Sequence, residues 1–365
     1  MTSRERFVRT LTGQEVDRVP FVKIFGGTNA CRTEWEKECP GLSKNIDEVL
    51  RFEGFYRGWD AMPVQQGLSP AGPGEVIEET EEGALFRNGY GALEVVQKGQ
   101  DYAHQTIEWP VKNRADWQRI KERFLDPDSP DRFPGDWPKY VERYRNREYP
   151  LQLSHGGVYG FPRTMMGDEN LAYAFYDDPG LVHEMMNTYT ETCIAVWKKM
   201  VCDIDFDLIE FWEDMCFRGG SLISPKIFRE FMTPQYQKVA AFAKEHNIPI
   251  LLVDSDGYIE DLTELMAEAG VTAMYPYEVQ SGNDAERVRA KHPTFGIIGA
   301  LNKEVMAWGK DAIDAEMEKA RRYIKLGRLI PGPDHFVLSN VTWENYRYFM
   351  ERLREVVMTT EVHNR

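Results

Sequence analysis

Short apolar runs recur along the second half of the chain, and amphipathic stretches separate them. The runs lie near residues 151, 209, 251, 274, 297 and 330. A short run that is apolar throughout is typical of a strand buried on both faces of a parallel sheet. The stretches between the runs carry apolar residues at a spacing of about 3.6, as in 181–201, which predicts helices. This alternation predicts parallel strands joined by crossover helices.

Two further candidate strands, near residues 21 and 60, bring the total to about eight. Eight strands that alternate with helices fit a closed barrel, and an open, doubly wound sheet is the alternative. No G-x-G-x-x-G motif follows the first strand, which weakens that alternative. We therefore predict an α/β fold, a (β/α)8 TIM barrel, with residues 1–365 as a single domain.

The pattern differs between residues 60 and 148. Gly and Pro cluster at 67–74, and the alternating stretches 92–96 and 103–109 predict antiparallel hairpins. Residues 113–148 are charged and rich in Trp, Pro and Asp, which favours a helix or two and long loops. We interpret 60–148 as an inserted hairpin and helical segment within the barrel domain, and not as a domain of its own.

The composition argues against several classes of protein. The formal net charge of −15 disfavours a nucleic-acid or anionic-membrane surface, because both need clustered lysine and arginine. No run approaches the roughly 18–20 apolar residues of a membrane helix. The charged start of the chain lacks a signal peptide's apolar region, so we expect a cytoplasmic protein. The five cysteines form no C-x-x-C pair, which disfavours a disulfide framework and a thiolate zinc site.

Groups that bind protons, metals or substrates follow most of the predicted strands. In a barrel the carboxyl ends of all strands meet at one mouth, so these groups become neighbours. The sequence therefore predicts a small-molecule site dense in carboxylates. The candidates are Gln65, Gln66, His155, Glu213, Asp214, Asp254, Asp256, Tyr277, Glu278, Asn302, Lys303, Asp334 and His335.

Asp254 and Asp256 lie two residues apart directly after an apolar run. At a strand end two such carboxylates can point the same way and share a cation or a proton. Crowded carboxylates cannot all stay ionised, so either a metal is bound or at least one pKa is raised. The alternative interpretation is a turn in which Asp256 caps the next helix.

Two histidines and one lysine complete the predicted mouth. His335 follows a Pro-Gly-Pro turn that would hold its ring in place, and Asp334 could orient the imidazole; a surface loop is the alternative. His155 precedes two glycines, where a ligand could approach the backbone, but a core histidine fits equally. Lys303 is either a cation for an acidic substrate or an exposed lysine at a helix start.

Several short sequence motifs are distributed over nearly the whole chain. They are Arg18-Val-Pro, Gly58-Trp-Asp-Ala, Asp178-Pro179, Ser224–Tyr236, Gly270–Glu278, Gly299–Lys303 and Trp343-Glu-Asn345. Together they resemble the uroporphyrinogen decarboxylase superfamily, which contains that decarboxylase and zinc-dependent, corrinoid-linked methyltransferases. The resemblance implies the same barrel with an inserted hairpin region.

Departures from the superfamily pattern place the chain nearer the methyltransferase-like branch. The decarboxylase's Arg-rich motif and its Asp are absent from 25–31 and 62–66. The methyltransferases' His-x-Cys is replaced by Asp254 and Asp256, and their last Cys by His335. The resemblance therefore implies a metal site made of these three residues. Oxygen and imidazole ligands suit zinc, iron or manganese as a Lewis acid.

Three functions follow as hypotheses. The first is methyl transfer between a small methylated compound and a corrinoid protein or other carrier. Asp254 would lie in the site, and Glu213 or Glu278 would be the proton-transfer group. His155 and Lys303 are further catalytic candidates. The second is decarboxylation of a uroporphyrinogen-like or other organic acid. The third is a non-catalytic tetrapyrrole or corrinoid binder. A homodimer is compatible with the resemblance.

Overall fold

The computed structural model describes residues 1–54, 57–70, 72–97 and 104–362. Its strands are β1 (Asp60–Ala61), β2 (Glu75–Glu79), β3 (Gly83–Arg87), β4 (Leu93–Gln97), β5 (His104–Glu108), β6 (Leu151–His155), β7 (Leu208–Trp212), β8 (Cys216–Phe217), β9 (Gly220–Ser221), β10 (Ile250–Asp254), β11 (Ala273–Tyr275), β12 (Gly296–Leu301) and β13 (Leu329–Pro333). Seven of them form a curved parallel sheet in the order β1-β6-β7-β10-β11-β12-β13. These seven are the predicted strands from residue 60 onward, which confirms the barrel-like α/β fold.

Helices surround this sheet. They are α1 (Ser3–Thr12), α2 (Asn29–Glu38), α3 (Ile46–Leu50), α4 (Arg114–Phe124), α5 (Trp137–Arg145), α6 (Gly160–Met166), α7 (Asp168–Asp177), α8 (Pro179–Met200), α9 (Pro225–Ile227), α10 (Thr233–Glu245), α11 (Leu262–Ala269), α12 (Ala285–Lys291), α13 (Val305–Trp308), α14 (Lys310–Lys325) and α15 (Trp343–Thr359). Gly13, with φ of 72°, ends helix α1 in a left-handed conformation. Among the described residues, no helix is both long and apolar enough to cross a membrane.

The predicted first strand, near residue 21, differs from the other seven. Among the described residues, 19–25 are not part of the parallel ladder, yet the segment occupies the eighth position. A Cβ on Gly58, beside β1, would meet Val22, and a Cβ on Gly332 of β13 would meet Ile24. Pro20, Pro331 and Pro333 have no amide hydrogen to donate, which limits pairing at this seam. Side-chain packing therefore closes the barrel along 19–25, and one parallel backbone bridge, between Gly27 and Val337, follows it.

Apolar side chains fill the barrel interior up to its carboxyl end. They come from α1, from 22–25 and from alternate residues of the strands: Phe7, Leu11, Val22, Ile24, Phe25, Trp59, Leu208, Ile250, Leu252, Ala273, Tyr275, Ile298 and Ile330. Because side chains alternate along a strand, Glu210 continues the inward series after Leu208, and Asp254 continues it after Leu252. A polar layer therefore begins where the apolar interior ends.

The inserted segment forms a second sheet. Strands β2, β3, β4 and β5 pair antiparallel in chain order, as the alternating stretches predicted. Residue 103, the start of one predicted stretch, lies outside the described residues, and β5 begins at residue 104. Helices α4 and α5 follow the sheet. Arg132 ties this segment to the loop after β1 by donating to the carbonyl oxygens of Gln65 and Gly67 at 2.6 and 2.7 Å.

Candidate active site

Three half-buried side chains meet at the carboxyl end of the barrel: Asp256, Glu278 and His335. Each offers one ligand atom, and these atoms all lie within 4.8 Å of one another. The Nε2 atom of His335 is 3.2 Å from a carboxylate oxygen of Asp256. Asp256 follows β10, Glu278 follows β11 and His335 follows β13. The fold thus brings together residues that are far apart in the sequence, and we call these three the carboxylate–imidazole cluster.

Neighbouring groups hold two members of the cluster in place. The imidazole of His335 stacks on Phe25, with ring centroids 5.1 Å apart, and packs edge-on against Phe336 at 5.3 Å. Glu278 accepts a hydrogen bond from the Gly257 amide at 2.9 Å and lies 4.0 Å from the ammonium nitrogen of Lys303. These contacts fix the directions in which the ligand atoms point.

The donor set fits a divalent metal. Two carboxylates and one imidazole are ligands that suit zinc, iron or manganese. Three protein ligands also leave coordination positions for a substrate, as catalytic metal sites require. The only His, Cys, Asp and Glu group of this kind within the described residues is this cluster.

The cluster differs from the predicted metal set of Asp254, Asp256 and His335. Asp256 and His335 meet, but Glu278 completes the group and Asp254 is not part of it. The reason is that β10 ends at Asp254, so Asp256 lies in a loop and the strand's alternation no longer relates the two carboxylates. Helix α11 begins only at Leu262, so Asp256 is not its N-cap either.

Asp254 belongs to a second group, deeper in the barrel. Arg57 lies 3.7 Å from the carboxylate of Asp254 and 3.9 Å from that of Glu210. Arg57 also donates a hydrogen bond to the Tyr275 hydroxyl at 2.9 Å, and that hydroxyl donates to Glu210. Burial, reinforced by the charge of Glu210 and opposed by Arg57, raises the pKa of Asp254 well above its ordinary value. The lumen therefore holds an acid of raised pKa beneath the cluster.

Asp334 and Lys303 support the loops around the cluster. The carboxylate of Asp334 accepts hydrogen bonds from the amides of Val279 at 2.7 Å and Lys303 at 3.0 Å. Burial raises the pKa of Asp334 to about 6, although these two amides oppose the shift. Its described contacts are with these loops and not with the His335 imidazole that it was predicted to orient. The Lys303 side chain is 16 % exposed, so it is not the water-exposed lysine of the alternative interpretation.

Glu213 lies at the strand ends but is completely buried. Its carboxylate accepts hydrogen bonds from the amides of Val158, Tyr159 and Gly160 at 2.6, 2.8 and 3.0 Å, and from the Tyr236 hydroxyl. Burial raises its pKa, and these four donors oppose the shift. With its oxygens fully engaged, Glu213 holds the start of α6, a position that does not suit the predicted proton transfer.

His155 points away from the mouth. It is 2 % exposed, and its ring packs against Tyr189, Trp197 and Phe211 between the sheet and α8. Its position in β6 gives the reason, because residue 155 continues the outward series of Leu151 and Leu153. Burial lowers the pKa of His155 to about 3. The geometry thus fits the core histidine of the alternative interpretation.

His155 is expected to make the fold sensitive to acid. Its pKa is about 3 in the folded protein, against about 6.5 when unfolded. As the pH falls below 6.5 the unfolded chain takes up the proton first, so stability present at neutral pH is lost towards pH 3. The loss is about 1.4 kcal/mol per pH unit, or about 2 kcal/mol at pH 5.

Urea unfolding of the wild type and of His155→Phe at pH 7 and pH 5 measures this contribution. Between the two pH values the wild type should lose about 2 kcal/mol more than the variant. Equal losses would show that another group carries the acid sensitivity. His292→Gln, at the opposite end of the barrel, is the matched control and should keep the wild-type pH dependence.

Comparison with known proteins identifies the family. The family model for uroporphyrinogen decarboxylase (URO-D) matches residues 106–356, more than half of the chain. The chain belongs to the URO-D family. This confirms the resemblance that its sequence motifs carry. A comparison with curated proteins gives no match.

Comparison with solved structures gives matches of different strength. A methyltransferase from Methanosarcina mazei matches with a TM-score of 0.59 and 15 % sequence identity, over 97 % of this chain and 99 % of that chain. At this identity the likeness shows the fold alone. A Xanthomonas albilineans dihydropteroate synthase, solved with 4-aminobenzoic acid, matches with a TM-score of 0.28 and 14 % identity, over 44 % of this chain and 59 % of that chain. That likeness carries no further argument.

Sequence patterns missed two residues of this URO-D family site. Arg57 precedes β1 in a stretch without a clear pattern, so nothing in its context indicated that its guanidinium reaches the lumen. Tyr275 ends the apolar run of β11 and could have been found from the strand's alternation, because Ala273 also faces inward. A carboxylate that faces the lumen, as Glu210 does, needs a partner, and the Tyr275 hydroxyl donates to it.

Proposed function

We propose that this URO-D family protein is an enzyme that transfers a methyl group between a small methylated compound and a corrinoid protein or other carrier. A divalent metal held by Asp256, Glu278 and His335 would assist the reaction. The observation that carries the proposal is the carboxylate–imidazole cluster, whose ligand atoms lie within 4.8 Å of one another. It stands at the strand ends, where enzymes with this architecture place their chemistry. The fold shared with a methyltransferase is compatible with this reaction.

A metal in the cluster would supply a Lewis acid for an oxygen or nitrogen atom of the substrate. The protein's own residues would position that substrate. The imidazole of His335 and the carboxylate of Glu278 are fixed by the packing and hydrogen bonds described above, and the Lys303 ammonium offsets part of the carboxylate charge. A preorganised site of this kind needs no rearrangement when the substrate binds.

Methyl transfer also needs a proton-transfer group. When a methyl group leaves an oxygen or nitrogen atom for the carrier, that atom keeps the bonding electron pair and takes up a proton. Asp254 is placed for this role, because its carboxyl ends the inward series of β10 directly below the cluster. Arg57, 3.7 Å away, and the Tyr275 hydroxyl bonded to Arg57 hold the surrounding charges in place.

Metal content tests the proposal. The purified, desalted protein is incubated with zinc, ferrous iron or manganese, freed of excess metal and assayed by mass spectrometry. We expect about one tightly bound ion per chain. His335→Ala and Glu278→Ala should each weaken the affinity by more than about tenfold. His292→Ala, outside the cluster, should bind like the wild type.

Folded protein that binds none of the three metals would contradict the metal-assisted reaction. That result would instead favour the decarboxylase, which needs no metal. Methyl transfer itself is measured with cob(I)alamin as acceptor and a panel of methylated compounds, by the absorbance of methylcobalamin. Release of carbon dioxide from organic acids, without methylcobalamin, would replace the proposal by decarboxylation.

A further inference from the structure

Three hydrogen-bonded side chains line one wall of the barrel lumen: Trp59, Gln152 and Ser154. The indole nitrogen of Trp59 donates to the Oε1 atom of Gln152 at 2.6 Å, and the Nε2 atom of Gln152 donates to the Ser154 hydroxyl oxygen at 2.8 Å. Trp59 belongs to the apolar interior. Gln152 and Ser154 alternate in β6 with the outward-facing Leu151 and Leu153, so both face inward. We call these three residues the lumen chain.

The hydrogen bonds of the lumen chain have one fixed direction. An indole N–H can only donate, so the atom of Gln152 that it meets must be the amide oxygen. The amide nitrogen of Gln152 is then the atom that faces Ser154, and this nitrogen also only donates. The Ser154 oxygen must therefore accept, which leaves its own hydrogen to be donated elsewhere. Among the described residues, no acceptor takes that hydrogen.

The Ser154 hydroxyl lies in the polar layer of the lumen. Ser154 pairs in register with Glu210 of β7, which faces the same way. Its amide donates to the Oε1 atom of Gln66 at 2.7 Å, and the Trp197 indole donates to the same oxygen at 2.8 Å, so its position is fixed. Gln152 is 7 % exposed, whereas Ser154 is only half-buried. The free hydroxyl hydrogen is therefore available to a molecule that enters the lumen.

The charges around Ser154 favour an uncharged ligand atom. The polar layer holds the carboxyl groups of Glu210 and Asp254, and the guanidinium of Arg57 lies between 3.7 and 3.9 Å from both. These groups leave no surplus of positive charge for an anion. A neutral hydroxyl whose oxygen already accepts a bond can instead donate to an ether or carbonyl oxygen. A site built around one such bond discriminates against analogues that lack the acceptor.

We propose that the Ser154 hydroxyl donates a hydrogen bond to an uncharged oxygen of the substrate and thereby selects compounds that carry such an acceptor. The donor follows from the lumen chain, and the identity of its ligand as a methylated substrate rests on the proposed function. The substrate is then a methylated compound whose ether or carbonyl oxygen enters the lumen beside Glu210. Ser154 decides specificity, and Gln152 and Trp59 are positioning residues that set the direction of its proton.

Three probes of the same shape test the donor. Methoxybenzene carries an acceptor oxygen next to its methyl group, N-methylaniline carries an N–H donor there, and ethylbenzene carries neither. The ring is common to all three, so differences in affinity report the single varied group. NMR titration of the full-length protein gives the dissociation constants. The wild type should bind methoxybenzene about three- to tenfold more tightly than ethylbenzene, the usual size of one uncharged hydrogen bond.

Two variants change the donor in different ways. Ser154→Ala removes it and should abolish the preference for methoxybenzene over ethylbenzene. Gln152→Glu reverses the chain, because a carboxylate accepts from both Trp59 and Ser154, and the serine oxygen then presents its lone pairs to the lumen. This variant should prefer N-methylaniline to methoxybenzene by about threefold. A purely structural role of the lumen chain would instead weaken the binding of all three probes alike.

Gln237→Glu is the matched control for the added charge. Gln237 is exposed on α10, outside the barrel, so this variant should keep the wild-type preference. Ser154→Ala only shortens a half-buried side chain, so it decides the question even where Gln152→Glu does not fold.

The outcomes separate this inference from the metal site. Equal binding of methoxybenzene and ethylbenzene by the wild type, or no binding of either, would overturn the donor site. So would a wild-type preference that persists in Ser154→Ala or in folded Gln152→Glu. His335→Ala should lose the metal and keep the preference for methoxybenzene. This preference without metal binding would refute the metal assistance alone, and metal binding without the preference would refute the donor site alone.

Discussion

Replacement of Glu213 by alanine is expected to lower the free energy of unfolding by about 3–5 kcal/mol. The carboxylate is completely buried and accepts three backbone hydrogen bonds, from Val158, Tyr159 and Gly160. It also accepts one from the Tyr236 hydroxyl. Without it, these four donors remain in a space that water does not reach. Unsatisfied buried donors are among the costliest defects that a substitution can create.

Urea denaturation, followed by circular dichroism, measures this effect. Tyr236→Phe removes one of the four donors and should cost about 1–2 kcal/mol. Glu230→Ala is the control, because Glu230 is exposed nearby and should change stability by no more than about 0.5 kcal/mol. A Glu213→Ala variant as stable as the wild type would contradict the structural role and return Glu213 to the catalytic candidates.

Arg132→Met is expected to cost about 3 kcal/mol. The guanidinium is 1 % exposed and donates to four carbonyl oxygens, those of Gln65, Gly67, Phe124 and Asp126. Methionine fills a similar volume but leaves all four acceptors without this donor. Burial lowers the pKa of Arg132, because the charged guanidinium loses its hydration there. Replacing the buried charge removes this desolvation cost, which offsets part of the expected loss in the free energy of unfolding.

The same denaturation experiment measures this loss, with Arg119→Met as control. Arg119 lies on α4, and its side chain is 70 % exposed, so its replacement should be nearly neutral. Because Arg132 joins the loop after β1 to the end of α4, limited proteolysis should cut the Arg132→Met variant first between residues 57 and 148. Cleavage confined to other regions would show that Arg132 does not hold this segment.

The barrel could be predicted because burial leaves a clear pattern in the sequence. The run at 250–253 is apolar throughout, as expected for a strand covered on both faces, and so is the run at 296–301. Strands β6 and β7 keep apolar residues at alternate positions, with polar residues between them. The segment near residue 21 has the same pattern and the same inward side chains. Its apolar pattern reports burial and not hydrogen bonding, so the sequence could not distinguish a ladder strand from a segment held by packing.

The alternation of side-chain direction along a strand explains which predicted site residues face the barrel interior. Within a strand, alternate residues face the same way, so His155 shares the outward direction of Leu153. Glu213 follows β7 by one residue, but its amide still donates to the Asp254 carbonyl at 2.8 Å, so it keeps the outward direction of Ile209 and Phe211. Applied consistently, this rule would have placed both residues outside the lumen. It ceases to apply where a strand ends. The meeting of Asp256, Glu278 and His335 depends on loop conformations that no periodicity encodes.

The packing around His335 has a consequence for the entropy of binding. Phe25 belongs to segment 19–25, and Phe336 follows β13. The imidazole is therefore held between the two sides of the seam where this segment meets β13. Immobilising a flexible side chain during binding costs about 0.5–1.5 kcal/mol. Here the rotamer freedom of the ring is lost when the chain folds, before a ligand arrives. The affinity of any ligand at His335 is therefore thermodynamically linked to closure of the barrel.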